Sequence, residues 1–119
     1  MRRMTHPPEW RCSRRDLPPG RTLAFRVACE GRTVHAFVVN HDGTCAAYVN
    51  RCPHAGTNLD LWPNEFLSDD GRWLICATHG AVFDPPSGRC LAGPCAGDAL
   101  RPLVVRREGD SIVVACARP

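Results

Sequence analysis

The chain contains no lysine. Its fifteen basic residues are all arginine, a bias that reflects the base composition of the source genome more than function. It also lacks any apolar run near the roughly 20 residues that a membrane span requires, so no membrane segment is expected. The N-terminus, Met1-Arg2-Arg3-Met4, has no apolar stretch of the kind that marks a secretory signal. The Arg2-Arg3 pair is not followed by one either, which argues against twin-arginine export. A soluble, cytoplasmic protein is therefore expected. No segment shows sustained helical periodicity, and no nicotinamide-binding fingerprint is present. Residues 1–32 carry eight arginines against Glu9, Asp16 and Glu30. That basic stretch has no interleaved aromatics and no recognition helix, so it reads as a solvated face and not as a nucleic-acid interface.

What is present fits one domain. At 119 residues and 44% hydrophobic content, the chain can build a modest core, burying roughly 65% of its unfolded surface. Residues 1–9, with Pro7 and Pro8, read as a tail, and residues 10–119 as the domain. Short stretches with alternating or β-branched character predict strands near 10–12, 22–28, 33–39, 44–49, 72–75, 81–83, 89–91, 103–107 and 111–115. Turn signals separate them: Leu17-Pro18-Pro19-Gly20, Glu30-Gly31, Asn40-His41-Asp42-Gly43, Ser68-Asp69-Asp70-Gly71, Pro85-Pro86-Ser87-Gly88 and Glu108-Gly109-Asp110. Residues 59–67 are compatible with a helical turn or with irregular chain. The pattern predicts an all-β fold, a small antiparallel sandwich or barrel. His35 is expected partly packed on its strand, and His41 exposed in its turn.

Two short hooks carry the chemistry. The first is Arg51-Cys52-Pro53-His54-Ala55-Gly56-Thr57, with a C-x-H spacing. The second is Cys76-Ala77-Thr78-His79-Gly80, with C-x-x-H. Each offers one soft thiolate and one imidazole. Two such loops side by side suit a centre whose two metal atoms take different ligands, a [2Fe–2S] cluster with two Cys on one iron and two His on the other. Zinc sites more often pair like ligands within a hook, so the mixed hooks argue against zinc. Pro53 stiffens the first loop, and Gly56 and Gly80 allow tight turns that bring backbone N–H groups near the sulfurs.

Cys52-Pro53-His54 with Cys76-x-x-His79-Gly80 resembles the Rieske iron–sulfur motif, as do the following Ala81-Val82-Phe83-Asp84, Ser87-Gly88 and Gly93-Pro94. The resemblance covers roughly residues 23–115. A longer spacer departs from it and implies an insertion around residues 62–71. The resemblance implies a Rieske-like β domain with the cluster at a tip formed by two loops. It implies Cys52 and Cys76 on the inner iron, and His54 and His79 on the outer iron. Gly93-Pro94 falls where Rieske domains place a proline loop that excludes water and holds the ligand loops together. Trp62 and Trp73 near the hooks are either core or a docking surface.

Four filled ligand positions leave no open site for substrate, and the chain lacks the 2-His-1-carboxylate domain of a self-sufficient hydroxylase. The resemblance thus implies a non-catalytic, one-electron ferredoxin. It would take electrons from a reductase and pass them to an oxygenase-type partner, within a dioxygenase or monooxygenase system. The alternative is a redox-sensing or auxiliary, regulatory Rieske subunit of a larger complex. Six cysteines remain: Cys12, Cys29, Cys45, Cys90, Cys95 and Cys116. In a reducing compartment they are expected as small buried thiols without bridges, with Cys90 and Cys95 the pair placed to meet. Thr57 and Thr78 stand where quinol-oxidising Rieske proteins link their loops by a disulfide. Ala81 and Phe83 stand where high-potential members carry hydroxyl donors. All three departures predict a low potential, on the order of −150 to −50 mV.

Overall fold

The computed structural model describes residues 8–53, 58–60, 66–77 and 80–116. Among these residues nine strands follow one another: β1 (Glu9–Ser13), β2 (Thr22–Cys29), β3 (Arg32–His41), β4 (Thr44–Val49), β5 (Leu74–Ile75), β6 (Val82–Phe83), β7 (Cys90–Ala92), β8 (Pro102–Glu108) and β9 (Ser111–Ala115). One 3-10 turn, Arg14–Asp16, connects β1 to the Leu17–Gly20 turn, and its N-terminus is capped by Ser13. Among the described residues no helix is long and apolar enough to cross a membrane. Strand pairs are antiparallel and fall into two sheets, β1-β9-β8-β4-β3-β2 and β5-β6-β7. The all-β expectation holds. Glu9 is already in β1, one residue inside the expected tail.

The larger sheet curls until its two edges meet. β1 and β2 are its outermost strands, yet the Trp10 ring stacks on Phe25 with centroids 4.1 Å apart and planes 8° from parallel. Near-closure covers both edges, which would otherwise present unpaired backbone groups.

β3 explains how two cores coexist. Residues 36–40 are all buried, because both faces of this strand are covered. Ala36 and Val38 point into the barrel with Leu17, Val27, Ala47, Leu103, Ile112 and Val114. Phe37 and Val39 point the other way, toward the small sheet, with Tyr48, Phe66, Leu74, Phe83 and Leu100. Phe37 stacks on Phe66 at 4.2 Å. The hairpin after β3 is tighter than the four-residue signal predicts. Asn40 and His41 still pair with Cys45 and Thr44, so only Asp42 and Gly43 turn, both at positive φ. His41 is accordingly half-buried and His35 exposed, the reverse of the expectation.

The spare cysteines correct a second expectation. Cys29, at the end of β2, and Cys116, just after β9, form a disulfide with Cα atoms 5.3 Å apart, although they lie 87 positions apart in sequence. Barrel closure brings these ends together, and nothing in their spacing announces it. Cys90 and Cys95 do meet, as an unbonded pair with sulfurs 2.9 Å apart. Cys12 and Cys45 lie half-buried against the barrel core.

Candidate metal centre

β4 delivers the first hook. After Val49 the chain leaves the sheet, and Cys52 sinks to 1% exposure. Asn50 closes the base of this hook from both ends. It is buried, its side-chain oxygen accepts from the Leu59 N–H at 2.7 Å, and its amide donates to the Asp60 carboxylate at 2.9 Å. A buried amide with its bonding capacity used in this way fixes both segments it joins.

β5 delivers the second hook. Cys76 is fully buried, its N–H donates to the Ala81 carbonyl at 2.9 Å, and its carbonyl accepts from the Gly80 N–H at 2.8 Å. Gly80 has φ +73°, a region that residues with a Cβ avoid. The second hook is tied to the segment that follows the first, since the Ala77 N–H donates to the Leu59 carbonyl at 2.8 Å.

The loop after β7 forms a third side. Gly93, at φ +99°, lies so close to the second hook that a Cβ there would sit 2.9 Å from the Ala81 Cα. Two residues on, the Cys95 thiol contacts Cys90 and also interacts with Cys52 of the first hook. Burial, the Cys90 hydrogen bond and the neighbouring Cys90 and Cys52 charges push the Cys95 thiol up to about 12, so it stays protonated at neutral pH. The Gly93–Cys95 loop therefore touches both halves of the site.

Tyr48 anchors this region to the barrel. Its hydroxyl donates to the Pro85 carbonyl at 2.6 Å, and burial raises its pKa. Its ring leaves room only for a glycine at position 88.

Cys52 and Cys76 thus belong to one apolar cluster with Leu59, Phe66, Ala81, Phe83, Cys90 and Cys95. His54, His79, Gly56, Thr57, Thr78 and Trp62 lie outside the described residues. Among the described residues no group of three or more His, Cys, Asp or Glu forms a metal site. Trp73 is half-buried, with the Arg72 guanidinium 5.8 Å from its ring. The donor chemistry fits an iron–sulfur group. A thiolate in an apolar pocket is costly unless a cation pairs with it, and a metal supplies that cation. Ala81 and Phe83, both fully buried, bring no hydroxyl to the site. Asn50, Tyr48 and Cys95 are the positions that sequence reasoning did not connect to it. Asn50 carried one visible signal, a lone amide between a β-branched strand end and the first hook.

Comparison with known proteins agrees with this geometry. The family model for the Rieske [2Fe-2S] domain matches residues 9–107. Among solved structures, the ferredoxin of carbazole 1,9a-dioxygenase from Nocardioides aromaticivorans is 28% identical, with a TM-score of 0.69, over 89% of this chain and 94% of that one. The ferredoxin–oxygenase complex of carbazole 1,9a-dioxygenase matches with a TM-score of 0.69 at 22% identity, over 91% of this chain and 93% of that one. The oxidoreductase NdmD of Pseudomonas putida is 36% identical over 64 residues, which are 54% of this chain and 10% of that much longer protein. A match over most of the chain, on a fold that brings two buried cysteine hooks together, places this chain in the Rieske [2Fe-2S] domain family.

Proposed function

We propose that this protein is a one-electron carrier, a Rieske-type ferredoxin that passes electrons from a reductase to an oxygenase-type partner. Cys52 and Cys76 would hold one iron of the cluster, and His54 and His79 the other. When bound, the group supplies a one-electron couple. The observation that carries the reading is the packing of Cys52 and Cys76 in one apolar cluster, with the Gly93–Cys95 loop against both hooks. Those residues keep water from the thiolates and hold the hooks in fixed relation, which limits reorganisation on gain or loss of an electron. The likeness to a dioxygenase ferredoxin over 89% of this chain supports the partner class. The domain would span residues 10–119 as the sequence predicts, extended by one residue to take in Glu9 of β1, with the residues before it as its tail. The cytoplasm, where nicotinamide-linked reductases work, is the compartment that fits.

Electron paramagnetic resonance of the reduced protein tests the ligation. A mixed Cys/His signal, lost in His54→Ala and in His79→Ala, is the expected result. A colourless zinc protein, or an all-Cys signal, would overturn it. Stopped-flow reduction by a nicotinamide-driven reductase, followed by reoxidation by a Rieske oxygenase, tests the carrier role. Slow reduction combined with tight co-purification with one enzyme would favour the auxiliary-subunit reading instead.

A further inference from the structure

The Cys29–Cys116 bond lies in an unusual setting for a bridge that only staples a fold. The Arg101 guanidinium stands against both of its sulfurs, with Nη2 3.3 Å from Cys29 Sγ and 3.6 Å from Cys116 Sγ. The same nitrogen is 3.3 Å from a Glu30 carboxylate oxygen, so the cation is offset by one acid. Cys29 lines a cleft of about 520 Å³, together with Arg32, Arg51, Arg101, Glu30 and Pro53. Three arginines against one glutamate make the charged lining of that cleft cationic. The two cysteines also differ in access. Cys29 is 3% exposed, whereas Cys116 is half-buried.

We propose that this bridge is a thiol-exchange site for small, carboxylate-bearing thiols. The thiolate of such a molecule attacks Cys116 Sγ, on the more exposed of the two cysteines. A bond forms between the incoming sulfur and Cys116, the Cys29–Cys116 bond breaks, and the electron pair leaves on Cys29 Sγ. That leaving thiolate is held by Arg101 at the 3.3 Å already present. A second small thiolate then attacks the sulfur bound to Cys116, releasing the Cys116 thiolate and one small-molecule disulfide. Two electrons pass from two small thiols to the bridge, and Cys29 and Cys116 take up protons from water. The small-molecule disulfide closes the bridge again by the reverse steps.

The physical reason is the leaving group. Exchange speeds up as the departing thiolate is stabilised, and an adjacent guanidinium is one of the settings that lower a cysteine's pKa. Arg32 and Arg51 line the cleft on the Cys29 side of the bridge and not at Cys116 itself, so their effect is through space: positive charge beside the bridge raises the local concentration of an anionic nucleophile around it. A bridge in a protein that works among reduced small thiols would then be a site whose state follows the thiol pool, not a permanent staple.

The test uses the purified, cluster-loaded protein with glutathione, which is anionic, and cysteamine, which is cationic, at matched thiolate concentration. Opening is read by alkylation of the released cysteines and mass spectrometry. Glutathione is expected to open the bridge about tenfold faster, with a preference that shrinks as salt rises. Arg101→Ala should slow opening by both thiols by about tenfold, and Arg101→Lys should restore part of the rate. Arg32→Ala with Arg51→Ala should remove the preference and leave the dependence on Arg101. In Cys29→Ser, oxidised glutathione should leave an adduct on Cys116. Equal rates for the two thiols together with no effect of Arg101→Ala would overturn the proposal. So would a bridge that opens only under denaturing conditions. Neither outcome depends on the identity of the redox partners.

Discussion

Ala81 and Phe83 are the residues from which the working potential of this protein is predicted. Both are fully buried in the cluster that contains Cys52 and Cys76, and neither side chain can donate a hydrogen bond. Donors near cluster sulfurs stabilise the added electron, so their absence lowers the potential. The wild-type protein should fall near −150 to −50 mV, about the bottom of the Rieske range. Ala81→Ser with Phe83→Tyr should raise that value by roughly 50–150 mV, a fraction of the same range. Voltammetry at neutral pH measures both, and a wild-type value above about +150 mV would contradict the low-potential carrier. Cys95 packs in the same apolar cluster as Cys52, and its thiol donates to Cys90 Sγ at 2.9 Å.

At the scale of elements, the loop after β7 is held by a backbone approach that leaves no space for a side chain. Gly93 and Gly43 make a controlled pair, because both sit near φ +97°, at +99° and +96°. An added Cβ at Gly93 meets the Ala81 backbone at 2.9 Å, whereas one at Gly43 meets nothing within 4 Å. Gly43→Ala should therefore cost only the conformational term, about 1 kcal/mol. Gly93→Ala should cost about 3 kcal/mol, because the loop must also move away from the second hook. Thermal unfolding of the two variants separates the terms, and equal costs would show that the Gly93–Ala81 contact is not tight in solution. The Gly93 variant should also lose its visible chromophore faster under a chelator, since its loop bridges both hooks.

For the molecule as a whole, two links among the described residues stand out across the seam of the nearly closed barrel. One is the Trp10–Phe25 stack, and the other is the Cys29–Cys116 bond. A bridge between residues 87 positions apart removes much of the unfolded chain's freedom, worth about 4 kcal/mol. The Cys29→Ser, Cys116→Ser double variant should lose about that much stability relative to the oxidised protein, and no more than slightly relative to the reduced one. Urea unfolding of the oxidised, reduced and double-variant proteins provides the comparison. If all three unfold at one midpoint, the bridge contributes nothing to the barrel.

The sequence alone determined the parts that depend on local chemistry. Alternation and β-branching marked the strands, and β4 and β9 fall at the predicted 44–49 and 111–115. The mixed Cys/His hooks could be read directly, because ligand type and short spacing are properties of a few adjacent residues. Only the tertiary structure decided which spare cysteines join. Cys29 and Cys116 meet because the sheet curls edge to edge, a long-range result that no local pattern encodes. It likewise decided that Asn50 closes the base of the first hook and that Cys95 packs in one apolar cluster with Cys52. An isolated amide or thiol carries no periodicity, so its role appears only when distant segments supply its partners. The continuous burial of residues 36–40 on β3 has the same cause: alternation vanishes where a strand is covered on both faces, and the second layer is supplied by chain more than twenty residues away.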